Sequence, residues 1–164
     1  MKAKMTAKIH DLAQKTGEFL AQKGWVLVTA ESCTGGWVAQ AITSIPGSST
    51  WFDRGFVTYS NQAKEEMLGV KASTLERHGA VSEETVKEMA KGALLNSHGD
   101  VSIAITGIAG PTGGSPAKPV GTVWLGWSNK QGTRAMKQLF SGDRQSIREQ
   151  AVIAALAGLI EINQ

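Results

Sequence analysis

The chain has one cysteine, one tyrosine, three histidines and four prolines in 164 residues. A lone Cys33 rules out an internal disulfide and any CxxC metal clip. No HxxxH spacing occurs, and the carboxylates are scattered along helix-like segments, so neither a metal nor another cofactor is expected. No run of eighteen apolar residues offers a membrane span, and the opening "MKAKMTAKIHDLAQKTGEFL" is basic without the apolar core of a leader. A soluble, cytoplasmic protein with no membrane partner is expected. A net charge of +3 and a pI near 9.1 come without any dense Lys/Arg run. Nucleic acid is therefore not an expected partner, whereas a small phosphate-bearing ligand suits a mild cationic excess.

What is present is globular: 41% hydrophobic and 19% charged residues, with 19 glycines, more than plain turns require. No linker, repeat or low-complexity stretch divides the chain, and residues 1–164 are expected to form a single domain. Apolar residues Met5, Ile9, Leu12, Phe19 and Leu20 recur at helical spacing up to Lys23, before Gly24. "WVLVTA" reads as a buried strand, and "TGGWVAQAITSI" as a helix stopped by Pro46 and Gly47. "FDRGFVTYS" predicts a second strand, with Asn61 capping a short helix "QAKEEMLG" and Ser82 opening a longer one. A strand "DVSIAITG", a Gly/Pro-rich loop "IAGPTGGSPAKPV", a strand pair around "NKQG" and a helix from about Asp143 complete the chain. The order α-β-α-β-α-α-β-β-β-α describes a three-layer α/β/α sandwich around a mixed, mostly parallel sheet of about five strands. In such sheets ligands gather at the carboxyl ends of strands, from which "AESCTGG", "YSNQAK" and "TGIAGPTGG" emerge.

"ESCTGG" sits at a strand-to-helix corner. Thr34, Gly35 and Gly36 at a helix start could present N–H groups to a phosphate or oxyanion, or Ser32 or Thr34 could simply cap the helix. Ser32 could also be a nucleophile, but a serine needs a base. His10 and His98 lie on helices, and His78 in "ERHGAVS" is a turn histidine or a triad member. Lysine is the other base compatible with serine if its pKa falls. Lys64 stands in the first turn of a helix, whose dipole favours loss of the proton, with Tyr59 five residues earlier to orient it or protonate a leaving group. Cys33 is a nucleophile or a buried filler, and Ser49 in "GSSTWF" is a turn cap, an alternative nucleophile or a relay. Thr106, Gly107 and Gly110 end an apolar strand where N–H groups could form an anion nest, and Arg144 could hold a phosphate or make a surface ion pair. The five tryptophans leave apolar area for a subunit contact, and a homodimer is the expectation.

Six strings, "TAESCTGGWVAQAI", "IPGSSTWFDRGFVTYSNQAKEEMLGV", "HGAVSEETV", "ITGIAGPTGG", "KPVGTVWLGW" and "FSGDR", resemble the CinA C-terminal domain family, in particular its stand-alone nicotinamide-nucleotide amidohydrolases. The resemblance runs from about Ala7 to Gly158. It implies hydrolysis of the carboxamide of nicotinamide mononucleotide, as in pyridine nucleotide salvage, by a serine amidohydrolase that uses lysine and no metal. Carried over by motif, Ser32 is the nucleophile and Lys64 the base, with Ser49, Tyr59, Thr106 and Arg144 as further site residues. A non-catalytic nucleotide-binding or competence-related module is the alternative that the broader family name suggests.

Overall fold

The computed structural model describes residues 2–164, which form six helices and five strands. In chain order they are α1 (Lys2–Lys23), β1 (Leu27–Glu31), α2 (Trp37–Thr43), a 3-10 turn (Ser48–Thr50), β2 (Phe52–Val57), α3 (Asn61–Leu68), α4 (Ala72–His78), α5 (Glu83–Leu95), β3 (Val101–Gly107), β4 (Thr122–Asn129), β5 (Gly132–Leu139) and α6 (Arg144–Asn163). No described helix is long and apolar enough to cross a membrane.

The strands form one sheet in the order β2-β1-β3-β4-β5. β1 is parallel to both β2 and β3, while β4 is antiparallel to β3 and β5. Only β4 therefore runs against the others, as the mixed, mostly parallel sandwich requires. Alternation along β3 sends Val101, Ile103 and Ile105 to one face and Ser102 and Ala104 to the other. The first face carries the larger core, where Leu27, Ile103, Ile105 and Leu125 meet Leu20 of α1, Ile42 of α2 and Val152 and Leu156 of α6. Trp127 belongs to it, and its Nε1 donates to the Ala155 carbonyl at 3.0 Å. The opposite face is lined by small residues, so α5 lies close on the sheet: Ser102 Oγ donates to the Ala90 carbonyl at 2.8 Å. Val86, Met89, Ala90 and Ala93 of α5 close this second core with Leu68 of α3 and Leu75 of α4.

Three local expectations are corrected. Residues 72–78 form a helix, so His78 is its last residue rather than part of a turn. Helix α2 begins at Trp37 and not at Thr34, because Gly35 and Gly36 adopt φ of +61° and +101°, which a right-handed helix excludes. Helix α3 is capped by Ser60, whose Oγ accepts from the Ala63 N–H at 3.0 Å, leaving Asn61 as its first residue. Ser82 caps α5 as expected, accepting from the Thr85 N–H at 3.1 Å.

Candidate active site

Register brings the functional strand ends together. Glu31 at the end of β1 is paired with Val57 of β2 and Ile105 of β3. The ladder continues one step further, with Thr58 N–H donating to the Glu31 carbonyl and Ser32 N–H to that of Ile105. The next residues, Ser32, Thr58 and Thr106, consequently stand at one level, where β1 and β2 end while β3 continues to Gly107 beside β4. From here β1 leads across one face through α2 to β2, whereas β3 turns back into β4, so their loops separate and leave a crevice. β5 runs in the same sense as β1 and delivers Arg144 to this same edge.

Ser32, Tyr59, Lys64, Thr106, Gly107, Gly110 and Arg144 line one open cleft of about 340 Å³, with Cys33, Asn61, the Ala80–Val81 turn and the loop through Gly113 completing it. Its volume is within the range of small-molecule sites. Lys64 and Arg144 are its cations, and no aspartate or glutamate lines it. The cleft is thus suited to an anionic ligand.

Lys64 is only 1% exposed although it stands on a helix next to the cleft. Its Nζ lies 3.1 Å from Ser32 Oγ, 2.9 Å from the Thr58 carbonyl and 3.2 Å from the Tyr59 carbonyl. No carboxylate pairs with it among the described residues. Burial therefore lowers its pKa below the ordinary lysine value, and this desolvation, rather than the helix dipole, is the principal cause. The three contacts accommodate both protonation states. An ammonium donates to all three oxygens, while a neutral amine can keep both carbonyls and turn its lone pair toward the serine hydroxyl. Ser32 Oγ has a second, long contact of 3.5 Å to the Tyr59 carbonyl.

The Tyr59 ring is 62% exposed, and its hydroxyl accepts from Arg144 Nη2 at 3.3 Å. Arg144 Nη1 donates to the Gly110 carbonyl at 2.7 Å and ties the glycine loop to the start of α6. Thr106 Oγ1 donates to the Ala80 carbonyl at 2.8 Å, so its hydroxyl holds the neighbouring turn. Burial pushes the Cys33 thiol up to about 11, with the Glu31 charge adding to the effect. Cys33 borders the cleft but is mostly buried, and its raised pKa disfavours the thiolate that a cysteine nucleophile needs.

Other expected site residues lie elsewhere. Ser49 is exposed in the 3-10 turn before β2, at the end of the sheet opposite Ser32 and roughly 15–20 Å away by strand rise. Thr34, Gly35 and Gly36 do not line the cleft. The first helical N–H groups of α2 are already engaged: Glu31 Oε1 accepts from Val38 N–H at 2.9 Å and from Thr34 Oγ1 at 2.7 Å, and its Oε2 accepts from Ala39 N–H at 3.1 Å. The anion at this helix start is the protein's own carboxylate. His78 is 3.7 Å from Glu84 and does not line the cleft.

Sequence reasoning missed two charged residues of this corner, Glu31 and Arg148. Glu31 is 1% exposed, and burial raises its pKa against the opposing hydrogen bonds from Thr34, Val38 and Ala39. It is the only charged residue between Lys23 and Asp53, a signal that a buried role was in play. Arg148, one helical turn beyond Arg144, donates to the Cys33 and Thr34 carbonyls.

An α/β/α sandwich with a serine and a buried lysine meeting at the carboxyl ends of its parallel strands is the class that this fold and site define. The family model for the CinA C-terminal domain matches residues 9–162, and the chain belongs to that family. It is 57% identical over 150 residues to the nicotinamide-nucleotide amidohydrolase PncC of Enterobacter agglomerans, a match that covers 91% of this chain and 92% of the relative. The same-named protein of Escherichia coli K12 is 52% identical over 154 residues, covering 93% of each. The crystal structure of the competence/damage inducible protein CihA from Agrobacterium tumefaciens superposes with a TM-score of 0.93 at 46% identity, covering 96% of each chain.

Proposed function

We propose that this protein is an amidase that hydrolyses the carboxamide of nicotinamide mononucleotide to nicotinate mononucleotide and ammonia. The observation that carries the chemistry is the 3.1 Å approach of the buried, carboxylate-free Lys64 amine to Ser32 Oγ at the floor of a cationic cleft. The names of the two enterobacterial relatives support the substrate, and the cleft's lack of acidic residues is compatible with its phosphate.

Neutral Lys64 takes the hydroxyl proton as Ser32 Oγ bonds to the carboxamide carbon, forming a tetrahedral oxyanion. As the intermediate collapses, the C–N bond breaks and the Lys64 ammonium returns its proton to the departing amide nitrogen, which leaves as ammonia. Water, deprotonated by the again neutral Lys64, then attacks the ester carbon. The Ser32 Oγ–carbon bond breaks, the proton returns to Oγ, and the carboxylic acid product leaves and loses its proton to solvent. The Thr58 and Tyr59 carbonyls direct the amine throughout. Arg144 and the loop through Gly107 and Gly110 serve the negative charge of the substrate.

In this reading Ser32 is the nucleophile, and Ser49, at the other end of the sheet in the same chain, is not. Ammonia release from the mononucleotide by wild type, set beside Ser32→Ala and Lys64→Ala, is the test, with acyl-enzyme trapped by rapid acid quench and found by intact mass. Absence of release by wild type rejects the activity. Full release by Lys64→Ala rejects the base. A non-catalytic binding module has no use for a deprotonatable lysine against a hydroxyl, so the geometry favours the enzyme.

A further inference from the structure

The chain after Ser32 turns through buried Cys33 and Thr34 and then two left-handed glycines, Gly35 and Gly36, before α2 begins, so the Cys33 and Thr34 carbonyls lie outside any helix or strand ladder. Arg148 of α6 contacts this segment. Its Nε donates to the Cys33 carbonyl at 3.0 Å and its Nη2 to the Thr34 carbonyl at 3.2 Å. The guanidinium carbon stands 5.3 Å from the centre of the Trp37 ring, at the first residue of α2. One planar fork thus binds two consecutive peptide carbonyls and stands over the first aromatic residue of the helix that they lead into. Arg148 does not line the cleft, whereas Arg144, four residues earlier on α6, does.

Resting on the amidase reading above, we infer that Arg148 is a positioning residue, which acts through the Cys33 and Thr34 carbonyls to keep Ser32 Oγ on the Lys64 amine. Glu31 at the same corner holds N–H groups of α2, so the corner's carbonyls are bound by a cation and its helix start by a carboxylate. The first two turns of α6 accordingly serve two loops. Arg144 fixes the glycine loop through Gly110, and Arg148 fixes the nucleophile's loop. Lysine could not replace it fully, because Arg148 donates from two separate nitrogens while its guanidinium stands over the Trp37 ring, and a lysine has one nitrogen for all of these contacts.

The test compares wild type, Arg148→Ala and Arg148→Lys in mononucleotide turnover and in sulfonylation of Ser32 by phenylmethylsulfonyl fluoride, followed by intact mass. The expected result is a kcat reduced about 10- to 100-fold in Arg148→Ala with KM within about threefold, an intermediate kcat in Arg148→Lys, and sulfonylation slowed in the same order. Wild-type kcat in both variants overturns the inference, and so does a loss expressed mainly in KM, which would make Arg148 a substrate contact. If Arg148→Ala does not fold, Arg148→Lys decides by the same split. If wild type releases no ammonia, the amidase reading fails while the labelling comparison still decides the positioning: slower sulfonylation in the variants sustains it and equal rates overturn it.

Discussion

Lys64 Nζ and Ser32 Oγ lie 3.1 Å apart although they belong to separate strand-to-helix corners, and the remaining contacts of the amine are backbone carbonyls. With no anion to hold its proton, Lys64 is set up to be neutral more readily than a surface lysine. Replacing Ser32 or Lys64 by alanine is expected to lower kcat by about three orders of magnitude or more, with substrate binding largely retained. Isothermal titration of each variant with the mononucleotide, beside its turnover, measures both.

The direction of the Lys64 shift sets the pH dependence. In the proposed mechanism Lys64 acts as a base and must be deprotonated, and burial holds its pKa below the ordinary lysine value of 10.5. Activity is therefore expected to rise with pH and reach its plateau before 10.5, where an unshifted lysine would still be titrating. The linked effect on folding has a definite sign: between the lowered value and 10.5 the unfolded chain binds more proton than the native state, so this residue makes stability rise with pH there. A kcat/KM profile from pH 6 to 10.5, and denaturant midpoints of wild type against Lys64→Met over the same range, check the two statements.

Cys33 adjoins Ser32, the proposed nucleophile, but is mostly buried, with a thiol pushed up to about 11. Iodoacetamide at pH 7.5 is expected to leave the native enzyme active and to alkylate Cys33 only after unfolding in urea. Rapid inactivation of the native protein, with Cys33 modified, would contradict the assignment.

Arg144 is expected to act on binding more than on chemistry, since it reaches the cleft from the glycine-loop side and touches Tyr59 and Gly110 rather than Ser32. Arg144→Ala should raise KM about 10- to 100-fold, and raising the ionic strength should weaken substrate binding to wild type more than to the variant. Initial rates across substrate and salt concentrations test this.

Two substitutions probe the scaffold. Glu31→Ala strips a carboxylate from three donors, Thr34 Oγ1, Val38 N–H and Ala39 N–H, and is expected to cost about 2–3 kcal/mol, a fall in Tm of roughly 5–10 °C. Gly92→Ala places a methyl carbon 1.9 Å from the Leu68 carbonyl oxygen, so α5 and α3 must separate. The expected cost is about 1–3 kcal/mol. Because α3 carries Lys64, kcat should fall as well. Calorimetry with turnover on the same samples measures both variants.

Much of the architecture was legible because its signals are local. "VSIAITG" alternates large and small apolar residues, Gly24 follows the first amphipathic helix, and Ser82 stands where a capping hydroxyl is needed. The helix Ala72–His78 was not, since "ASTLERH" is short and its buried residues are only Thr74 and Leu75, too few to impose a period. Arg148 in "DRQSIREQ" reads as an ordinary helix surface charge, and only the return of the Ser32 loop beneath α6 gives it carbonyls to bind.

The sequence by itself determined the order of elements, the family, and the placement of Ser32 and Lys64 at two corners after apolar strands, because propensity, capping and motif spacing act over a few residues. The tertiary structure decided which corners meet. Parallel pairing puts the ends of β1, β2 and β3 at one level, brings Lys64 to Ser32 and leaves Ser49 at the opposite end of the sheet. It also buried Lys64 and Glu31, and with them set the direction of their pKa shifts. Desolvation is a property of the assembled layers, which no local stretch of chain possesses.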